Sequence, residues 1–505
     1  MTQLANPAQN ATFLEEWVPD ASQHLRNITG LSSDSRLTQA GDLFIASAGP
    51  AAERMQYIEQ AIAKGAVGVL RSADSNQAAF TFIDSTEGPI PTFSIPQLED
   101  KVGWIAAKFY GDPSITLTMI GITGTNGKTS TSCFIANALQ AVSLPCGVIG
   151  TLGHGFPGHI QAGQLTTPDP IQLQQQLASL KHQGAKAVAM EVSSHSLAQK
   201  RVAGVAFNIG VFTNLTQDHL DYHHTMENYA AAKRQLFLQP GLKYAVINAD
   251  DPVGLTFLKE FSSKLICFAY GTQPVSIPNV VNILAEQVKQ HSKGFSAWIK
   301  TPWGEGKLDT HLLGQFNLYN LLAALTTLGI LEIPLETALN ALSQLSTVPG
   351  RMQAFGGGSK PLVVVDYAHT PDALEKALLA LRPHCHGKLW CVFGCGGNRD
   401  TSKRKLMGQA AEHYSDHIII TNDNPRFEDP EAIIQEITAG LVCPWAAEIE
   451  PNREAAIAHA IHCAEPGDVV LIAGKGHEPY QIIGEQKLPF NDAEQVQLHL
   501  HLKYT

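Results

Sequence analysis

The sequence predicts an α/β protein of three successive domains, and three observations carry that expectation. Short apolar, β-rich runs alternate with helical periods through most of the chain, as in CGVIGTL, AKAVAMEVSSHS, FNIGVFTNL and KYAVINAD. Such alternation predicts mainly parallel sheets covered on both faces, with the polar strand ends carrying the chemistry. The stretch Leu117–Cys133, LTMIGITGTNGKTSTSC, runs from strand to glycine turn to helix. A Pro/Gly-rich segment at Thr86–Pro96 and VPGR at Val348–Arg351 break the pattern twice. The expected domains are residues 1–96, small α/β; 97–346, a P-loop ATPase-like parallel sheet; and 347–505, Rossmann-like. A length of 505 residues suits about two to four domains.

Bulk properties narrow the class. The chain is 44% hydrophobic and 16% charged, the balance of a soluble globular protein. A net charge of −11 argues against broad binding to nucleic acid or an anionic membrane. There is no uninterrupted apolar run of about 18 residues, so no membrane span is expected. The start, MTQLANPAQN, lacks a basic region followed by an apolar one, so no secretory signal is expected. Eight cysteines are scattered; only Cys391 and Cys395 lie close, in a spacing that makes a poor zinc signal. Buried free thiols in a reducing cytoplasm are expected.

In the first domain, a helix from Met55 to Lys64 lies between strands at Asp42–Ala46 and Ala66–Leu70. Ser32, Ser33, Asp34, Ser35 and Arg36 form a polar cluster, either a capping turn or a loop offering hydroxyls and Arg36 to a polar ligand. Thr86–Pro96 reads as a linker.

The central domain opens on the glycine turn. Gly124, Thr125, Asn126, Gly127, Lys128, Thr129 and Ser130 stand where backbone amides and a helix N-terminus can gather around phosphate. Lys128 supplies a charge for the terminal phosphates, and the Thr129 hydroxyl can sit on Mg²⁺. The strict Walker spacing is unmet, because position 122 is Ile. A nucleoside triphosphate site is nevertheless expected. Three later strands end in polar groups. Thr166 and Thr167 in LTTPDP precede a helix at Ile171–Lys181. Glu191, Ser193, Ser194 and His195 end an apolar run, and a carboxylate there can hold Mg²⁺. Asp218, His219, Asp221 and His223 crowd one turn. His219 and His223 have zinc-ligand spacing, but the glutamate of H-E-x-x-H is missing, which disfavours a zinc hydrolase.

The C-terminal domain shows βα units beginning PLVVVD, KLWCVFG, HIIIT and DVVLIAG. GCGGN suggests a dinucleotide turn, but Arg399 stands where the third glycine should be, which disfavours a nicotinamide site. In TNDNPRFEDP, Pro425 stiffens a loop between Asn424 and Arg426, and a rigidly held arginine suits bidentate capture of a carboxylate.

Six blocks in order (GTNGKTS, EVSSH, TNLTQDHLDYH, GQFNLYN, VPGRM and DYAHTPD) resemble the Mur ligases, the ATP-dependent amide ligases of cell-wall precursor synthesis. The resemblance covers nearly the whole chain and is strongest to the tripeptide-synthetase subgroup. It implies that Lys128 and Thr129 serve ATP and Mg²⁺, and that Glu191 and His219 are metal ligands. It implies that Lys233 is carried as a carbamate helping to hold a second Mg²⁺; the sequence alone reads Lys233 as an exposed helix residue. Asn320, Arg351 and Asp366 match nucleotide-contacting positions. Ser35, within DSR of the uridine-binding first domain, and Thr166, Thr167, Ser193, Gln199 and Arg201 match positions that grip the UDP-MurNAc-L-Ala-D-Glu substrate. Asp423, Asn424 and Arg426 form the D-N-P-R motif that goes with meso-diaminopimelate, and Arg399, Gly474 and Glu478 match the other positions around that substrate. Three stretches depart from the pattern: Thr401 and Ser402, Pro479, and PFNDAEQV.

The implied reaction is phosphorylation of a carboxylate by ATP, then attack by an amine. Lys128, His219 and Lys233 are the implied catalytic groups, and His219 or His369 is a candidate base. Closure of the third domain over the second is expected, because an acyl phosphate must be kept from water. The implied enzyme is a cytoplasmic monomer with small-molecule substrates. Its rivals are a lysine-adding ligase, a folylpolyglutamate synthetase and a P-loop ATPase that ligates nothing.

Overall fold

The computed structural model describes residues 10–47, 51–73, 76–86, 88–163, 165–291 and 294–504. Residues 1–9, nearly all of the MTQLANPAQN start for which no secretory signal is expected, lie outside them. The chain forms two compact units. The first comprises Met1–Gly121, Leu144–Asn208 and Leu238–Leu242; the second comprises Ile122–Ser143, Ile209–Phe237 and Lys243–Thr505. The chain crosses from one to the other within strand Thr118–Thr123.

The first unit carries a five-stranded sheet. Gly30–Ser32, Asp42–Ala46, Gly68–Ser72 and Gly88–Ile95 run parallel side by side, and Ala79–Ser85 pairs antiparallel at the edge. The helix expected at Met55–Lys64 is Ala51–Ala63, and the strand expected at Ala66–Leu70 is Gly68–Ser72. The expected linker is in fact a strand. Its proline half, Pro89 and Pro91, pairs only with the edge strand, whereas Thr92–Ile95 also pairs with Val69–Ser72. A residue without an N–H is tolerated where one side of the ladder is open. The same unit holds the parallel pair Cys146–Gly150 and Ala187–Glu191, and a hairpin of Gly153–Phe156 with His159–Gln161. Helix Pro170–His182 starts where Asp169 caps Ile171 and Gln172, with proline in its first turn.

In the second unit, Ile209–Phe212, Tyr244–Asn248, Ile266–Gly271 and Val280–His291 run parallel, as the alternation predicts. Two antiparallel strands then follow, Gly294–Thr301 and Gly304–Thr310, which the expectation of a mainly parallel sheet did not include. The C-terminal segment forms a separate six-stranded sheet. Its order is Gln353–Gly356, Leu362–Asp366, Val469–Ala473, Leu389–Phe393, His417–Ile420 and Ala447–Ile449, parallel except for the first strand. Apolar residues cover both faces, Leu378, Met407 and Ile437 on one and Ile457, Ile461 and Val496 on the other. Because the five strands are parallel, the residues after their C-terminal ends gather at one edge. That places Asp366, Gly394–Arg399, Thr421–Arg426 and Gly474–Glu478 together.

Candidate active site

The glycine turn forms as its sequence requires. Gly124 and Gly127 have φ of +150° and +86°, and a Cβ at Gly127 would meet Asn320 Oδ1 at 2.4 Å. Helix Lys128–Ala141 follows directly. Lys128 Nζ donates to Gly124 O at 2.9 Å and Thr125 O at 2.8 Å, so the ammonium closes over the turn. The Asn126 amide donates to Asn214 Oδ1 at 3.0 Å, and Thr125 Oγ1 lies 3.2 Å from Tyr229 OH. The turn is thus pinned to the segment after strand Ile209–Phe212.

A cleft of about 470 Å³ opens here, lined among others by Asn126, Gly127, Thr129, Ser130, Asn320, Arg351 and Asp366. Seven of the ten residues expected to bind ATP therefore share one cavity. Arg351 Nη2 donates to Thr129 Oγ1 at 3.3 Å, its guanidinium lies over the Tyr367 ring, and its buried Nε has no partner among the described residues. An unspent guanidinium N–H beside a glycine turn is what an anion would satisfy. Asp366 accepts from the Met352 amide at 2.7 Å; burial raises its pKa against the pull of Arg351. Asn320 donates to Asn317 Oδ1 and accepts from Thr131, so its amide is engaged inside the protein. The sequence reading missed Asp250 and Tyr319. Both line the cleft, and Tyr319 donates to Asp250 at 3.0 Å. Tyr319 sits inside GQFNLYN, so that block carried the signal.

Lys233 contradicts the sequence-only reading of an exposed helix residue. It is 1% exposed, and Nζ donates to Gly124 O at 2.7 Å. Helix Met226–Arg234 turns this face inward through Tyr229 and Ala232. Burial, then the charge of Lys128, holds the amine well below the usual lysine pKa, while Asp218 pulls it up. A neutral amine is the form that adds CO₂, so the residue fits the carbamate. Asp218 lies 3.4 Å from His219 Nε2 and 4.0 Å from His369 Nε2. Burial raises its pKa, but His369, His219 and Lys403 outweigh that, and the carboxylate stays ionised. His369 Nδ1 is 2.8 Å from Tyr367 O. Among the described residues no group of three or more His, Cys, Asp or Glu side chains forms a metal cage. Of the residues that the resemblance implies as metal ligands, Thr129, His219 and Lys233 belong to the second unit and Glu191 to the first.

The first unit holds the other implied substrate residues. Glu191, 1% exposed, accepts from the Thr151 amide at 2.8 Å and lies 3.1 Å from its hydroxyl. Thr166 reaches the same hydroxyl at 3.1 Å. Thr167 donates to Glu191 O at 2.9 Å and lies 3.5 Å from Ser193 Oγ. Arg201 donates to Thr167 O at 3.2 Å and to Gln199 Oε1. These five substrate residues and Glu191 are thus one bonded group. Ser35 is held apart, donating to Gln60 at 2.9 Å. Asp34 pairs with Arg36 at 2.7 Å, which holds its carboxyl at about 2.

At the edge of the C-terminal sheet, Arg426 has φ +53°. Its amide donates to Ile482 O, its carbonyl accepts from Gly484, and Nη1 donates to Gly397 O at 2.7 Å. Burial and the neighbouring Arg399 cation lower its pKa. Asn424 Nδ2 donates to Glu478 Oε2 at 2.8 Å. Asp423 is buried, which raises its pKa, with Lys475 and Arg453 opposing. Gly474 backs onto it, since a Cβ there would meet Asp423 Oδ2 at 2.5 Å. The Arg426 guanidinium thus feels a second cation, Arg399, and two carboxylates, Asp423 and Glu478, a mixture of charges suited to a zwitterion. The departures are accommodated locally. Asp400 accepts from the Ser402 amide and hydroxyl, and Asp492 makes a buried 2.7 Å pair with Arg453. Sequence reading missed that pair, and missed Lys475.

Two family models match the chain: Mur ligase middle domain over residues 122–328, and Mur ligase, glutamate ligase domain over 350–476. The chain belongs to the Mur ligases. Among Mur ligases, a UDP-N-acetylmuramoyl-L-alanyl-D-glutamate--2,6-diaminopimelate ligase of Coxiella burnetii is 50% identical, covering 93% of this chain and 94% of that protein. The ligase of the same name from Pseudomonas aeruginosa is 47% identical, over 96% and 97%. A solved structure of a ligase of that name superimposes with a TM-score of 0.68 at 33% identity, covering 97% of this chain and 99% of the other. The chain thus has the α/β architecture of the Mur ligases, with its three main sheets in succession. Among the described residues, no helix is long and apolar enough to cross a membrane.

Proposed function

We propose that this Mur ligase adds meso-diaminopimelate to the D-glutamate side-chain carboxylate of UDP-MurNAc-L-Ala-D-Glu, using ATP; its relatives' names give the UDP-dipeptide and 2,6-diaminopimelate as the partners joined. The observation that carries the substrate choice is that Arg426, at the C-terminal edge of the sheet, lies within electrostatic reach of the Arg399 cation and of the Asp423 and Glu478 carboxylates.

A carboxylate is a poor acylating agent. Its oxygen therefore attacks the γ-phosphorus of ATP, the bond to the β-bridging oxygen breaks, and ADP leaves. Lys128 and Arg351 offset the charge of two anions brought together. The amine of the diamino acid then attacks the acyl phosphate, phosphate departs with the C–O electrons, and the amine loses a proton. Residues Thr129, Glu191, His219 and carbamylated Lys233 would hold Mg²⁺, two ions in all, whose chemistry is charge neutralisation at the phosphates. Thr166, Thr167, Ser193, Gln199 and Arg201, with Ser35, bind the UDP-dipeptide. Arg399 and Arg426 take the distal carboxylate of diaminopimelate, and Asp423 and Glu478 take its ammonium. His219 and His369 remain the candidates for the base.

We assign residues 1–96, 97–346 and 347–505 to UDP-sugar, ATP and amino-acid binding, in a monomeric cytoplasmic enzyme. Its eight free cysteines, five of them buried, fit a reducing compartment. Phosphate release measured with the UDP-dipeptide and a panel of diamino acids tests the proposal. Release that requires the dipeptide and prefers diaminopimelate supports it. Equal use of lysine, or release indifferent to the amino acid, refutes it.

A further inference from the structure

Lys475 follows strand Val469–Ala473, and its side chain is 0% exposed. Its Nζ donates to Asn424 Oδ1 at 3.0 Å and to Glu478 Oε2 at 2.9 Å. Asn424 Nδ2 donates to that same Oε2 at 2.8 Å, which closes a ring of three side chains. An ammonium can only donate, so the amide oxygen of Asn424 must face Lys475 and its nitrogen must face Glu478. The amide of Ile482 donates to the same Oδ1 at 2.9 Å and reinforces that orientation. Glu478 Oε2 is thereby engaged twice, while Oε1 has no hydrogen bond among the described residues. Asp423 stands beside the ring with no side-chain hydrogen bond of its own among the described residues. Two neighbouring carboxylates in a buried place repel one another, and Lys475 supplies the offsetting charge.

We infer that Lys475 is a positioning residue that sets selectivity for the distal ammonium of the incoming diamino acid, by fixing Asn424 and Glu478 so that Glu478 Oε1 is left for that ammonium. The inference rests on the diaminopimelate reading above and adds to it a division of labour. Arg399 and Arg426 read the distal carboxylate, and the Lys475 ring reads the distal amine.

Two analogues separate those roles. Lysine keeps the distal ammonium and lacks the carboxylate; 2-aminopimelate keeps the carboxylate and lacks the ammonium. The experiment measures kcat/KM for all three amino acids on the full chain, with ATP and UDP-dipeptide saturating, for wild type and Lys475→Met. The preference for diaminopimelate over 2-aminopimelate should fall about tenfold or more, the scale of one charge-assisted hydrogen bond. The preference over lysine should hold within about twofold, and KM for ATP and the UDP-dipeptide should not move. If Lys475→Met does not fold by circular dichroism, Lys475→Gln, which keeps a donor but no charge, should show the same loss. An unchanged preference over 2-aminopimelate, or equal losses for all three amino acids, overturns the inference while leaving the proposed function standing. Failure of both variants to fold assigns Lys475 to stability and overturns it too. A wild type that releases no phosphate with diaminopimelate overturns both.

Discussion

Replacing Arg426 with alanine should cost this ligase diaminopimelate and spare lysine. The guanidinium is aimed by its own backbone, at φ +53° between Ile482 O and Gly484 N, and steadied by Gly397 O at 2.7 Å. Alanine keeps the Cβ, so the loop should survive. What disappears is a charge-assisted bond to the distal carboxylate, worth about 1.5–3 kcal/mol. Arg399 stays nearby and takes up part of the anion, while the repulsion between the two cations is relieved. A net loss of about 1–2 kcal/mol follows, or roughly 5- to 30-fold in kcat/KM. Lysine never used that bond. Its kcat/KM should stay level or rise, because no half-buried guanidinium is left without a counter-charge. Phosphate release with either amino acid varied, at saturating ATP and UDP-dipeptide, reads both numbers. An equal fall for the two amino acids would reduce Arg426 to a loop support. An unchanged rate with diaminopimelate would mean the distal carboxylate docks elsewhere.

Asp492→Asn should destabilise the C-terminal sheet by about 3–5 kcal/mol in urea unfolding, because it strands the fully buried Arg453; a loss below about 1 kcal/mol would contradict that pairing. Lys233 should give a carbamate signal in ¹³C NMR with labelled bicarbonate, absent from Lys233→Met, and a spectrum identical for both proteins would exclude it. In bicarbonate-free buffer the lowered pKa of Lys233 leaves the unfolded chain binding more protons between that value and 10.5. Stability should therefore rise with pH across that window, and Lys233→Met should remove the slope in melting experiments. Gly150→Ala puts a Cβ 2.2 Å from Glu191 Oε1, so the Mg²⁺ concentration needed for half-maximal phosphate release should increase; an unchanged Mg²⁺ titration counts against Glu191 as a ligand.

Local order along the chain made the elements legible. The strand–glycine–helix turn at Gly124–Ser130, the helix starts at Pro170, Pro371 and Pro430, and the run of parallel strands follow from periodicity, caps and turn residues, which act over a few positions. So did the D-N-P-R loop, where Pro425 stiffens its neighbours. The two antiparallel strands after Val280–His291 and the strand hidden in Thr86–Pro96 were not legible, because partner and register are set across space. What the sequence determined by itself is the family, the strand–glycine–helix turn and the proline-stiffened loop that carries Arg426. Only the tertiary structure decided that Lys233 is buried beside Lys128, that Arg453 and Asp492 pair with both side chains fully buried, and that Lys475 bonds to both Asn424 and Glu478. The physical reason is the same in each case. A side chain's solvation and charge partners come from segments far apart in the chain, and no local pattern of residues records which of them will meet.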